Sequence, residues 1–212
     1  MATLQELANS VIEGDVERVK ELTQELLQAG VDPLEIIDKG LIAGMDVVGT
    51  RFKAGEMFVP EVLMCAKAMA EGTSLVKPHL AGKELKTHGT FVIGTVKNDL
   101  HDIGKNLVSM MVESAGFTVI NLGVDVSPEA FVKAIQEHKP DILGMSALLT
   151  TTLPYMKETI EAIKEAGLRD SVKIIIGGAP VTQEYADQIG ADGYAPDAGA
   201  AAELCKKLVG AA

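Results

Sequence analysis

Apolar residues in the first part of the chain recur with the period of a helix. Leu4, Leu7, Ala8 and Val11 stand at i, i+3, i+4 and i+7, and Thr3 with Glu6 has capping-box spacing. A second stripe, Val16, Val19, Leu22 and Leu26, opens at Asp15 after Gly14 and closes near Gly30. Asp32-Pro33 with Glu35 opens a third, carrying Ile37, Leu41, Met45 and Val48, and Val59-Pro60-Glu61 opens a fourth, carrying Val62, Ala66, Met69 and Val76. Short Gly- and Asp-containing breaks imply antiparallel neighbours, so residues 1–84 are expected to form a four-helix bundle without strands.

After Ala81-Gly82-Lys83 the period changes. Short β-branched runs at 90–96, 118–122, 141–145 and 172–176, with a weak last one at Gly193-Tyr194, alternate with helical patterns at about 103–115, 128–138, 152–166, 182–189 and 198–209. Strand-helix alternation repeated five times predicts a five-stranded parallel sheet covered on both faces. At this length the flavodoxin-like, Rossmann-type strand order is the economical one for residues 88–212, with a linker at about 83–88.

Composition narrows the class of partner. The 212 residues carry 19 basic and 30 acidic side chains, a formal net charge of −11, which repels nucleic acid and anionic membrane alike. No uncharged apolar run approaches the roughly 18 residues that span a bilayer, and the N-terminus has no leader pattern. Cys65 and Cys205 stand too far apart in sequence to suggest a disulfide framework or a zinc site, so a reducing cytoplasm is the expected location. With 21 glycines and only 4% aromatic residues, a site here is expected to be built from small and aliphatic side chains.

Parallel open sheets bind ligands beyond the carboxyl ends of their strands. Those ends are Lys97-Asn98-Asp99-Leu100-His101-Asp102-Ile103-Gly104, Ser146-Ala147-Leu148-Leu149-Thr150 and Gly177-Gly178-Ala179. Asp99-x-His101 places a carboxylate where it can accept one ring N–H, which fixes the tautomer and makes the other nitrogen a better metal donor. One histidine cannot hold a metal ion alone, so a metal would arrive already coordinated in a cofactor. Gly104 and Gly177-Gly178 leave gaps suited to a long appendage threading into the sheet edge. His79, His88 and His138 lack such companions. Gly104-Lys105 resembles the end of a phosphate loop, but the first glycine of that motif falls on Asp99, which excludes it. A phosphoacceptor domain is likewise excluded, because Ser146 stands where the acceptor Asp is needed at the end of the third strand.

Asp99-Leu100-His101-Asp102-Ile103-Gly104, Ser146-x-Leu148 and Gly177-Gly178 together resemble the Asp-x-His-x-x-Gly, Ser-x-Leu and Gly-Gly motifs of cobalamin-binding domains. The resemblance covers nearly the whole chain. The helical segment before them resembles the cap of methionine synthase's cobalamin module and of the small corrinoid proteins of methanol, methylamine, betaine and aryl methyl ether methyltransferase systems. It implies that His101 is the lower axial ligand of cobalt, that Asp99 bonds its distal ring nitrogen, and that Ser146 completes a relay to solvent. The nucleotide tail of the corrinoid would run past Gly104, Ser146, Leu148, Thr150, Gly177 and Gly178, with Asn98 and Asp102 flanking the ligand loop and Ala198 near the tail's end. Met57, Phe58, Val62 and Leu63 of the cap would shield the upper face. The implied activity is that of a carrier: cobalt cycles between Co(I) and methyl-Co(III), taking a methyl group from a substrate-specific methyltransferase and giving it to an acceptor methyltransferase, with a reductive activase as third partner. A radical-mutase subunit shares the motifs but needs a separate barrel domain, and a cobalamin sensor lacks a DNA-reading element here.

Overall fold

A computed structural model describes residues 2–80 and 87–211, which form two compact units. The first is helical. Helix α1 (Leu4–Glu13) begins with the expected capping box: Glu6 N–H donates to Thr3 Oγ1 at 3.2 Å, and Thr3 N–H donates to Glu6 Oε2 at 2.9 Å. Asp15 caps α2 (Val16–Gln28) by accepting from Arg18 N–H at 3.0 Å.

The third helical stripe is a composite of α3 (Pro33–Glu35), a π-helical stretch (Ile36–Ile42) and α4 (Ala43–Lys53). Its apolar spacing carried no sign of the wide π turns, which are set by packing rather than by propensity. Gly40 and Gly44 lie against α1, where an added Cβ would come within 2.6 Å of Leu7 Cδ2 and 2.8 Å of Ala8 O. Helix α5 (Val59–Val76) opens with Phe58 N–H donating to Glu61 Oε2 at 2.8 Å, and it buries Val62, Cys65, Ala66, Met69, Gly72 and Val76 along one face. Gly72 lets α5 approach Leu41 and Val19 of α2, to which a Cβ would come within 2.8 and 3.0 Å. The Cys65 thiol is buried, donates to Ile12 O at 3.3 Å and is pushed to a higher pKa by that burial, so it is a packing group.

The second unit is the expected parallel sheet. Strands β1 (Thr90–Thr95), β2 (Thr118–Asn121), β3 (Ile142–Ser146), β4 (Lys173–Gly177) and β5 (Gly193–Tyr194) run in the order β2-β1-β3-β4-β5. Between them come α6 (Ile103–Ser114), α7 (Pro128–His138), α8 (Pro154–Glu165) and α9 (Gln183–Ile189), and α10 (Ala198–Leu208) follows β5. Two buried phenylalanine rings are accommodated by glycine. Gly94 lies under Phe131 and Gly144 under Phe91, where a Cβ would fall 2.9 and 2.6 Å from ring carbons. These glycines serve the core and not a ligand, which qualifies the inference from composition.

Register decides what meets at the sheet edge. Thr95 pairs with Ser146, and Ser146 pairs with Gly177, so three neighbouring strands end level. The loops that follow them share one edge, as the strand order requires. Among the described residues no helix is long and apolar enough to cross a membrane. The expected linker at about 83–88 and the boundary at residue 84 lie, apart from residues 87 and 88, outside the described residues.

Candidate functional site

The loop after β1 is built to present one imidazole. Buried Thr95 donates its hydroxyl to His101 O at 2.9 Å, and Val96 N–H donates to Ser146 O at 3.0 Å, tying both ends of the turn to the sheet. Asp99 is wholly buried beneath it. Its Oδ1 accepts His101 N–H at 3.1 Å and lies 2.7 Å from His101 Nδ1, while its Oδ2 accepts Leu148 N–H at 2.8 Å and the Thr152 hydroxyl at 2.7 Å. Burial alone raises the pKa of this carboxyl. The hydrogen bonds from Leu148, Thr152 and His101 outweigh it and hold the group far below the ordinary carboxylate range. An ionised carboxylate only accepts, so the ring N–H that meets it is on Nδ1, and Nε2 is the ring nitrogen that Asp99 does not engage. The His101 side chain is 51% exposed.

Exposed aliphatic side chains stand on the same loops as His101. Leu100 and Ile103 are 72% and 82% exposed, and Leu148 and Leu149 are each 42% exposed. A half-exposed imidazole on loops that also expose aliphatic side chains suits a broad, flat ligand that brings its own metal. Among the described residues no three His, Cys, Asp or Glu side chains converge to hold an ion, leaving His101 as a single donor. Gly104 opens to free space, since a Cβ there would meet nothing within 4 Å. A planar metal cofactor with a bulky appendage therefore fits the residues present.

Several expected residues have different duties. Ser146 is half-buried and contributes its main-chain oxygen to Val96, and none of the four bonds to the Asp99 carboxylate comes from it. The hydroxyl that bonds Asp99 Oδ2 here is that of Thr152. The chain itself requires glycine at 178: its φ is +129°, and a Cβ would fall 1.9 Å from Ala147 O. Gly177 is also pressed close, with a Cβ 3.0 Å from Ala195 O. The Gly-Gly pair thus shapes the edge by close backbone approach and leaves less open room than expected. Ala198 is buried in the first turn of α10, which Asp197 caps by accepting Ala200 N–H at 2.8 Å. Asp102 is exposed and accepts from Asn106 Nδ2 at 3.0 Å, Thr150 is exposed, and Asn98 bridges to neighbouring loops. In the bundle, Phe58 is 69% exposed, but Val62 is fully buried on the inner face of α5 and offers no surface to a ligand. The exposed apolar residues there are Val47 on α4 and, around the start of α5, Phe58, Val59, Leu63 and Met64, with Met57 buried.

Thr152 stands in the run Thr150-Thr151-Thr152, and nothing in that run distinguishes the third threonine. The turn that donates Thr152 N–H to Leu149 O at 3.0 Å carries its hydroxyl inward. Thr152→Val keeps the shape and removes the donor, and a hydrogen bond to a charged acceptor is worth about 1.5–3 kcal/mol. A loss of that size in urea unfolding is the expected result, and a variant as stable as the parent contradicts the assignment.

Residues 89–203 match a family model described as a B12 binding domain, and residues 3–77 match a second model of the same description. A corrinoid protein of Desulfitobacterium hafniense is 46% identical over 213 residues, covering 99% of both chains. Trimethylamine corrinoid protein 2 of Methanosarcina mazei is 46% identical over 192 residues, covering 90% of this chain and 88% of the relative. The crystal structure of the methanol:cobalamin methyltransferase complex from Methanosarcina barkeri contains a chain that superposes with a TM-score of 0.87 at 34% identity, covering 99% of this chain and 80% of that one.

Proposed function

This chain belongs to the B12-binding corrinoid proteins, and from that premise we propose that it carries a methyl group between a substrate-specific methyltransferase and an acceptor methyltransferase. The observation that carries the reading is the buried Asp99 carboxylate 2.7 Å from Nδ1 of His101, whose side chain is half exposed on the loop after β1. Bound, the corrinoid supplies a cobalt centre that accepts and gives up the methyl group.

The chain's own residues do the rest. His101 Nε2 would be the chain's ligand to the metal, and Asp99 would hold the imidazole in the tautomer that leaves Nε2 available. Leu100, Ile103 and Leu148 give the ring its apolar seat, and the open side of Gly104, with Thr150 nearby on the edge, gives the tail its way in. Ser146, Gly177, Gly178 and Ala198 shape that edge through the backbone, with Asn98 and Asp102 flanking the ligand loop. Phe58, Val59, Leu63 and Met64 give the bundle an exposed apolar surface, the kind that would shield a methyl group from water. No substrate pocket of its own is needed, because partner enzymes activate donor and acceptor. A reductive activase would restore the oxidised cofactor, and the acidic surface suits successive docking to basic patches in the cytoplasm.

The test is methyl transfer by the cofactor-loaded chain. After reduction it is expected to take up one methyl group per chain from methyl iodide or from a matching methyltransferase, and to release it to a thiol acceptor enzyme. Radical formation from an adenosyl-loaded chain, with no methyl uptake, would overturn the reading in favour of a mutase subunit.

A further inference from the structure

Two of the three non-glycine residues with positive φ among the described residues meet at the ligand loop. Asn98 has φ +63° and Asp125 has φ +54°. Such residues carry a conformational cost of order 1–3 kcal/mol each and persist only where surrounding contacts enforce them. Here the contacts are reciprocal. Asn98 N–H donates to Asp125 Oδ1 at 2.7 Å, and Asp125 N–H donates to Asp99 O at 3.0 Å. Val96 and Val126 form a parallel bridge that brings the two loops together.

The other side of the loop is held by α8. Asn98 Nδ2 donates to the Tyr155 hydroxyl at 2.6 Å, and Lys97 Nζ stands 5.8 Å from the Tyr155 ring centre. Tyr155 N–H in turn donates to Thr152 O at 3.1 Å, so one turn of chain grips Asn98 with its tyrosine and Asp99 with its threonine. None of these contacts is needed to close the sheet, whose strand ends are already fixed by pairing. They act on the two residues from which His101 is suspended.

We propose that Asp125 and Tyr155 are positioning residues that hold Asn98 in its left-handed turn and thereby keep His101 aimed at the cofactor's lower face. Neither touches the reacting atoms. The proposal rests on the corrinoid reading for what His101 ligates, while the clamp itself is testable without any cofactor.

Three variants separate the parts. Asp125→Ala removes the acceptor of the Asn98 N–H; Asp125→Asn keeps an acceptor oxygen on a residue that tolerates positive φ; Tyr155→Phe keeps the ring and removes the hydroxyl. In the cofactor-free protein, Asp125→Ala is expected to speed exchange of the Asn98 amide hydrogen roughly tenfold, the loss of one hydrogen bond. Tyr155→Phe is expected to speed it less, and Asp125→Asn to restore the parental rate. In the protein loaded with Co(II) cobalamin, the fraction with histidine bound, read by electron paramagnetic resonance, is expected to fall in the same order. Parental exchange and a parental histidine-bound fraction in Asp125→Ala would overturn the proposal, as would an Asp125→Asn variant as impaired as Asp125→Ala. Should Asp125→Ala fail to fold, Tyr155→Phe carries the same two readouts, and parental values in both would again overturn it. A parent that takes up no cobalamin defeats the corrinoid reading instead, and leaves the exchange result to judge the clamp.

Discussion

His101→Ala is expected to leave a folded protein that binds corrinoid without an axial imidazole. The side chain is half-exposed, so its removal costs little packing, while the loop around it stays tied by the Thr95 hydroxyl on the main-chain oxygen of residue 101 and by Asp99 on its N–H. What disappears is, among the described residues, the one imidazole on the loops that follow the strand ends. The visible spectrum should shift wholly to the form lacking a nitrogen ligand, and cofactor retention should weaken by at least about tenfold, the equivalent of 1.4 kcal/mol. Added imidazole should enter the vacated space beside Asp99 and restore the parental spectrum, a rescue that a collapsed or misfolded loop would not show. A parental spectrum in the variant would remove His101 from the account.

Two glycine substitutions at the same edge are expected to fail in opposite ways. Gly178→Ala puts a Cβ within 1.9 Å of Ala147 O at a φ of +129°, where an L-residue is strained whatever the space. The combined strain and overlap should cost on the order of 2–5 kcal/mol, seen as a large fall in melting temperature before any cofactor is added. Gly104→Leu meets open space near the start of α6, where leucine is the better helix former. That variant should melt no lower than the parent and yet lose corrinoid uptake, because the side chain fills the entry left by the missing Cβ. Stability data on the two cofactor-free variants, set beside cobalamin titrations, check both halves. A destabilised Gly104→Leu, or one with parental uptake, contradicts the open entry assigned there.

Much of this architecture can be read from local pattern, because the signals that carry it are local. The change from a helical period to β-branched runs near residue 82 separates two units, and five strand-helix alternations leave few economical strand orders. Asp99 and His101 are legible because they are two residues apart, so their contact is a property of one turn. Thr152 is not, since its bond to Asp99 spans 53 residues and depends on which of three consecutive threonines a turn rotates inward. Val62 misled for a related reason. It follows the exposed Phe58 at helical spacing, but Phe58 precedes the first turn of α5 in an extended conformation and does not share its face. The roles of Asp125 and Tyr155 lie equally beyond local pattern, because Asp125 acts across the sheet edge from the loop after β2 and Tyr155 from α8.

The central claim is that cobalt is held by a nitrogen of this chain and not by the cofactor's own base. It is tested most directly by growing the protein on ¹⁵N-histidine, loading it with unlabelled Co(II) cobalamin and recording the paramagnetic resonance spectrum. Coordination by His101 predicts that each cobalt line splits into a doublet from one ¹⁵N nucleus, and that the doublet is absent in His101→Ala. A triplet from ¹⁴N in the labelled parent would mean that the cofactor's own base remains on the metal, and would contradict the account.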